Sequence, residues 1–236
     1  MLLEKMLQSQ GFGSRKFCQQ LIKNGQVSID GDVILDPKYR CDLSHLEYQV
    51  GQEDYLYREK VYIALNKPAG YECSHQATHH FSVFELFDDV LLNRGLQTVG
   101  RLDQDTTGLL LLTDDGQFLQ ALTHPKKHVP KVYQMYTADS VSNEQIELLQ
   151  QGVELRNENG VFAATDVELL DSNHLKFTVH QGVYHQVKRM VAAVGNKVEK
   201  LHRQKIGQLD LNDLENLAEG EWIFLTEEQI QQARAV

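Results

Sequence analysis

The sequence predicts an α+β protein: a small N-terminal α/β-hairpin domain over residues 1–58, then a larger mixed, mostly antiparallel sheet domain with flanking helices over 59–236. Three observations predict it. A length of 236 residues is generous for one core and comfortable for two unequal ones. A composition of 42% hydrophobic and 24% charged residues is that of an ordinary soluble globular chain. Beyond residue 60, strand-like segments outnumber crossover helices, which favours a mixed sheet over a doubly wound one.

The elements follow in order. Leu2, Leu3, Met6 and Leu7 recur at helical spacing until Gly11 and Gly13 break the chain. Ser14 caps a second helix whose apolar face is Phe17, Cys18, Leu21 and Ile22, ended by Asn24-Gly25. Val27, Ile29, Val33 and Ile34 flank Asp30-Gly31, a two-residue hairpin signal, because both turn positions tolerate positive φ. Leu46–Val50 reads as a closing strand and Gly51–Glu59 as a polar linker. Strands are expected near 61–65, 97–101, 108–113, 132–138, 162–170, 174–181, 197–206 and 221–225. Helices are expected near 81–86, 116–123, 142–151, 184–195 and 227–234.

Net charge is −10, yet the cations are concentrated. Lys188, Arg189, Lys197, Lys200, Arg203 and Lys205 are opposed only by Glu199, and Lys126, Lys127, His128 and Lys131 form a second cluster. Phosphates respond to the local field of a face, which a global sum hides. No apolar run approaches the ~18–20 residues needed to span a bilayer, and Glu4 and Lys5 interrupt any signal-like opening. Cys18, Cys41 and Cys73 are read as reduced thiols of a cytoplasmic protein. The scattered histidines carry no CxxC or HExxH, so no metal site is expected. Gly11-Phe12-Gly13-Ser14 follows a helix and not a strand, which argues against a nucleotide loop.

The most informative stretch is Val99–Gly116, VGRLDQDTTGLLLLTDDG. Leu109–Leu112 reads as a strand buried on both faces, and Asp114-Asp115-Gly116 turns the chain out of it. Arg101, Asp103 and Asp105 are therefore mounted between two core elements, a rigid setting for a carboxylate. Arg101 beside an Asp helps to keep it ionised.

These residues resemble the catalytic motif of the RNA pseudouridine synthases. Asn66-Lys67-Pro68-Ala69-Gly70 resembles that family's early motif, Lys131-Val132-Tyr133 its KxY element, and the run from Gln181 to Met190, QGVYHQVKRM, its late basic motif. The likeness spans about residues 60–230. The segment from Ser14-Arg15-Lys16 to Asn24-Gly25-Gln26-Val27 resembles an S-four-type RNA-binding domain.

The resemblance implies isomerisation of uridine to pseudouridine in 16S ribosomal RNA, as naked RNA or in a partly assembled small subunit. The alternatives are a large-subunit RNA target or a non-catalytic RNA-binding assembly factor. It implies Asp103 as nucleophile, Tyr133 against the base, and Leu201 as an apolar wall. Lys188 or Arg189 supplies the cation that holds Asp103 ionised, and Arg101 positions the backbone or the displaced base. Lysine at 188 stands where many relatives carry arginine, and it lacks the planar fork of guanidinium. No hydride, phosphate or redox equivalent moves, so no cofactor is demanded. Turning the target nucleotide out of folded RNA is offset by phosphate contacts, expected from Arg15, Lys16, Lys23, Lys126, Lys127, Lys131, Arg189 and Arg203. His185 is read as a hydrogen-bonded histidine at a helix start, and the protein is expected to be a monomer without a membrane partner.

Overall fold

A computed structural model describes residues 1–214 and 216–235, with the backbone alone at Pro125. The chain divides into two units, Met1–Val61 with Phe87–Gln97, and Tyr62–Leu86 with Thr98–Val236.

The first unit begins with helices α1 (Leu3–Ser9) and α2 (Arg15–Lys23). The Ser14 side chain accepts a hydrogen bond from the Phe17 N–H, so it caps α2 as its residue type predicts. Strands β1 (Val27–Ile29) and β2 (Asp32–Val33) form the expected hairpin, with Asp30 and Gly31 both at positive φ. β3 (Glu47–Val50) and β4 (Glu53–Leu56) complete a sheet ordered β2-β1-β3-β4. β4 lies where a polar linker was expected; it is an edge strand that gives the core only the ring of Tyr55, against Phe12 and Tyr48, so its other residues are polar or exposed. Phe17, expected on the apolar face of α2, is half exposed, whereas Cys18 and Ile22 are buried. The core joins Leu3, Met6, Leu7, Phe12, Cys18, Ile22, Val27 and Tyr48. A short helix α3 (Asp89–Leu92), not foreseen from the sequence, starts at an Asp88 cap.

The second unit is built on seven principal strands: β5 (Tyr62–Lys67), β6 (Thr107–Thr113), β7 (Lys131–Thr137), β8 (Thr165–Asp171), β9 (His174–Val179), β10 (Val198–Ile206) and β11 (Trp222–Phe224). Their order is β8-β9-β7-β10-β6-β5-β11. Every neighbouring pair is antiparallel except β10 and β6 at the centre, which are parallel, so the mixed, mostly antiparallel α+β class expected from the sequence is the one observed. Helices α4 (Gly116–Thr123), α5 (Asn143–Gln151), α6 (Gln186–Ala193) and α7 (Glu227–Arg234) flank it. Leu109 and Leu111 pack with Phe118 and Leu122 of α4 and with Ile230 and Ala233 of α7. Leu110 and Leu112 point the other way and are equally buried, so β6 is covered on both faces as its four leucines predict.

Three segments differ from expectation. Residues 81–86 form a two-residue strand and a 3₁₀ turn instead of a helix. Of 97–101 only Gln97–Thr98 is a strand. The strand expected over 162–170 is divided between Val161–Phe162 and β8. No helix among the described residues is long and apolar enough to cross a membrane.

Candidate active site

The loop between Thr98 and β6 carries the acidic motif, and three contacts hold its shape. The Thr106 N–H donates to the Asp103 carbonyl at 3.1 Å, the Gly70 N–H to the Gln104 carbonyl at 2.7 Å, and the Val99 N–H to the Leu111 carbonyl at 2.8 Å. Lys67, at the end of β5, is fully buried and donates to the carbonyls of Thr106 at 2.8 Å, Pro68 at 3.0 Å and Gln104 at 3.3 Å. The early Asn-Lys-Pro-Ala-Gly motif is thus the clamp of the acidic loop. Burial pulls the Lys67 ammonium below its ordinary pKa, and the nearby Asp105 and Asp103 oppose that pull. β6 can lie against β10 because residue 108 is glycine: its φ is +103°, and a Cβ there would stand 2.3 Å from the Arg203 carbonyl oxygen.

Asp103 opens onto a cleft of about 370 Å³, within the range of small-ligand sites, lined by Arg101, Leu102, Thr106, Lys131, Tyr133, His185, Lys188, Leu201 and Arg203 among others. Both carboxylate oxygens of Asp103 are engaged. Lys188 Nζ stands 3.0 Å from Oδ2, and His185 Nε2 stands 3.1 Å from Oδ1. The same ammonium reaches Asp105 Oδ1 at 2.7 Å. Burial works against the charge of Lys188, but its hydrogen bonds with Asp105 and Asp103 outweigh it and raise its pKa. Burial likewise pushes the Asp105 carboxyl up, yet the Lys188 ammonium holds it below its ordinary value. Lys188 therefore stays cationic across the physiological range, a fixed charge beside Asp103.

Helix α6 delivers this pair. His185 precedes it with φ +49°, a left-handed conformation uncommon outside glycine, which turns the chain so that the rings of Tyr184 and His185 stack at 3.8 Å while Lys188 faces the cleft. The choice left open by the sequence falls on Lys188, because Arg189 is occupied elsewhere. Its guanidinium bonds Glu158 at 3.1 Å, the Tyr184 carbonyl at 3.0 Å and the Arg156 carbonyl.

Tyr133 is buried on β7 and lies beside Leu201 and Arg203 in the cleft. Arg101 is exposed at its edge. Arg203, expected on a phosphate-binding face, is instead 2% exposed, with Nε donating to the Leu109 carbonyl at 2.8 Å. The reason lies in the strand: within β10 alternation turns Leu201 and Arg203 inward and leaves Lys200 exposed, and a register shift between Arg203 and Lys205 separates those two, so the basic run does not share one face. Lys131 is half buried, donates to the Val129 carbonyl at 2.9 Å, and has its pKa lowered to about 8 by burial and then by the charge of Arg203. Lys126 and Lys127 are exposed in a turn between His124 and His128, both of which line the cleft. In the first unit Lys16 and Lys23 are exposed, whereas Arg15 is committed to the buried carboxylate of Glu4 through Nε at 2.9 Å.

Two residues of the site had no part in the chemistry assigned from the sequence, Lys67 and the Asp103-bound His185, the latter read only as a hydrogen-bonded histidine at a helix start. Each sat inside a motif already singled out. A lysine flanked by Asn and Pro at the end of an apolar strand is the signal for the first, and a histidine three residues before the basic Lys188 is the signal for the second.

A carboxylate held by an adjacent ammonium, in a cleft with a buried tyrosine and the further cations Arg101, Lys131 and Arg203, is the arrangement of an active site built for nucleophilic or charge-stabilising chemistry. The chain belongs to the RNA pseudouridylate synthase family, whose pattern matches residues 61–193, and an S4 domain matches residues 1–46. It is similar to proteins named ribosomal small subunit pseudouridine synthase A. The one from Vibrio cholerae serotype O1 is 40% identical, with 98% of each chain covered. The one from Escherichia coli K12 is 36% identical, again with 98% of each covered. A crystal structure of a pseudouridylate synthase matches with a TM-score of 0.68 and 36% identity, covering 99% of each chain. The protein is accordingly a pseudouridine synthase, an isomerase.

Proposed function

We propose that this protein isomerises uridine to pseudouridine at a specific site in 16S ribosomal RNA, free or within a partly assembled small subunit in the cytoplasm, with Asp103 as the nucleophilic or charge-stabilising carboxylate. The observation that carries the reading is the pairing of Asp103 with Lys188 at 3.0 Å inside the cleft that also holds Tyr133. The reaction breaks the bond from N1 to the ribose, turns the ring, and rejoins it through C5. The step needs one ionised carboxylate against the sugar, and the Lys188 ammonium supplies that ionisation once RNA has displaced water. Lys188 also leaves Asp103 oriented, and Tyr133 offers a flat ring and a hydroxyl to the base. Residues 1–58 act as an S-four-type RNA-binding module and residues 59–236 as the catalytic domain. Relatives named for the small subunit, similar over nearly the whole chain, support the substrate.

Incubation with unmodified 16S RNA, partly assembled small subunits and large-subunit RNA, followed by chemical mapping of pseudouridine, tests this. Product is expected in the small-subunit samples alone. Asp103→Asn is expected to lose all product while still binding RNA; full activity in that variant would remove Asp103 from the mechanism.

A further inference from the structure

We propose that Arg203, with Lys131 beside it, is a catalytic residue that binds the carbonyl oxygens of the detached uracil and carries its negative charge between bond breaking and bond re-forming. This rests on the pseudouridine synthase reading and deepens it. Arg203 is 2% exposed and lines the cleft. Its Nε is spent on the Leu109 carbonyl and its Nη1 reaches the Tyr133 hydroxyl at 3.5 Å, but its buried Nη2 has no hydrogen-bond partner. No carboxylate pairs with Arg203 or Lys131 among the described residues. Two cations of this cleft therefore have no carboxylate paired to them, Asp103 being engaged by Lys188 and His185, and burial brings the second within reach of titration at about pH 8. A buried guanidinium with an idle donor calls for an anionic or carbonyl ligand.

The chemistry of the reaction supplies one. When the bond from N1 to the sugar carbon breaks, its electron pair stays on the uracil, where it spreads over N1, O2 and O4. The same pair-rich ring then attacks the sugar through C5, the C5 proton leaves to a base, and N1 takes up a proton, so atoms and electrons balance without a co-reactant. The ring turns about the line through N3 and C6, which exchanges N1 with C5 and also exchanges O2 with O4. A donor fixed at one carbonyl position thus meets O2 before the turn and O4 after it, with no motion of the protein. Arg203, anchored to β6 through Leu109 and buried in β10, is such a donor. A phosphate is the poorer ligand for it, because a phosphate stays attached to the RNA backbone and Arg203 is 2% exposed.

The test compares leaving groups. Wild-type protein first locates the modified uridine; no product on any RNA would sink the proposed function before any variant is compared. A synthetic RNA fragment then carries uridine or 5-fluorouridine at that position alone. Fluorine withdraws electrons and makes the detached ring a weaker base, so it depends less on protein cations. Single-turnover conversion of uridine to pseudouridine, and loss of the N-linked 5-fluorouridine, are read after nuclease digestion. Arg203→Gln is expected to lose roughly 10²–10³-fold on uridine, the scale of one preorganised donor, and several-fold less on 5-fluorouridine. Equal losses on the two substrates, or wild-type rates on both, would overturn the assignment, since a purely structural arginine cannot sense the leaving group. Should Arg203→Gln fail to fold, Arg203→Lys and Lys131→Met carry the same comparison, with the same pattern expected and the same equality overturning it.

Discussion

With Asp103 on one side of its ammonium and Asp105 on the other, Lys188 contributes charge at a fixed place. Lys188→Met leaves Asp103 in a cleft with His185 as its nearest cation source, so the turnover number is expected to drop by ~10²-fold or more in single-turnover pseudouridine assays. Lys188→Arg keeps the charge and is expected to retain most activity. If Met and Arg variants were equally impaired, shape and not charge would be the function of this residue. Lys131 gives a second prediction, with opposite signs for activity and stability. Its folded pKa is lowered from 10.5 to about 8. Between those values the unfolded chain still holds the proton that the folded chain has lost, so stability contributed by this residue rises with pH across that window. Activity moves the other way if the cation serves the detached uracil: kcat/KM is expected to fall above about pH 8. Lys131 lines the same cleft as Tyr133 and Arg203, and its lowered pKa makes it the source of a limb at that pH. Lys131→Arg should shift the descending limb upward, and an unshifted limb would detach it from Lys131.

The elements that hold these residues differ in how much of them can be read from sequence. β6 was legible because four leucines in a row have no surface to face, and α4 and α7 because Asp115 and Thr226 cap them and the chain turns at their ends. β4 was not, since an edge strand of Glu, Asp, Tyr and Leu has the composition of a loop. Lys67 was legible as part of a motif but not as a clamp, because its three acceptors are main-chain carbonyls with no side-chain signature. Arg203 was misplaced because a run of cations suggests one face, while a strand divides neighbours between two. Gly108 is where the elements and the site depend on one atom. Gly108→Ala forces a Cβ to 2.3 Å from the Arg203 carbonyl at a φ that side chains seldom adopt. The parallel junction of β6 and β10 must then shift, at a cost of ~1–3 kcal/mol from overpacking and more from backbone strain. Thermal unfolding is expected to show a fall of several degrees. Because the acidic loop enters β6 at this junction, pseudouridine formation should fall further than the stability loss alone explains, measured well below the unfolding temperature. A stable and fully active Gly108→Ala protein would show that the junction does not set the site.

At the scale of the whole molecule, a chain of net charge −10 must hold a polyanion by the placement of its cations and not by their sum. Lys126 and Lys127 are exposed in the turn whose flanking His124 and His128 line the cleft, and Lys16 and Lys23 are exposed on α2. Each lysine that meets a phosphate releases a counter-ion, which adds ~0.7 to the slope of log affinity against log salt for single-stranded contacts. Lys126→Gln with Lys127→Gln should therefore flatten the slope by ~1.4, and Lys16→Gln with Lys23→Gln by a similar amount, without altering which uridine is modified. Arg15 is expected to behave differently from its neighbour Lys16. Its guanidinium is committed to the buried Glu4 carboxylate, so Arg15→Gln should lower the unfolding temperature and leave the salt slope nearly unchanged. Filter binding of the unmodified RNA from low to physiological salt separates the two effects in one series. A slope that none of these lysines changes would place the phosphate-binding surface elsewhere on the protein, and a slope near zero in the wild type would mean that shape and base contacts, not phosphates, hold the RNA.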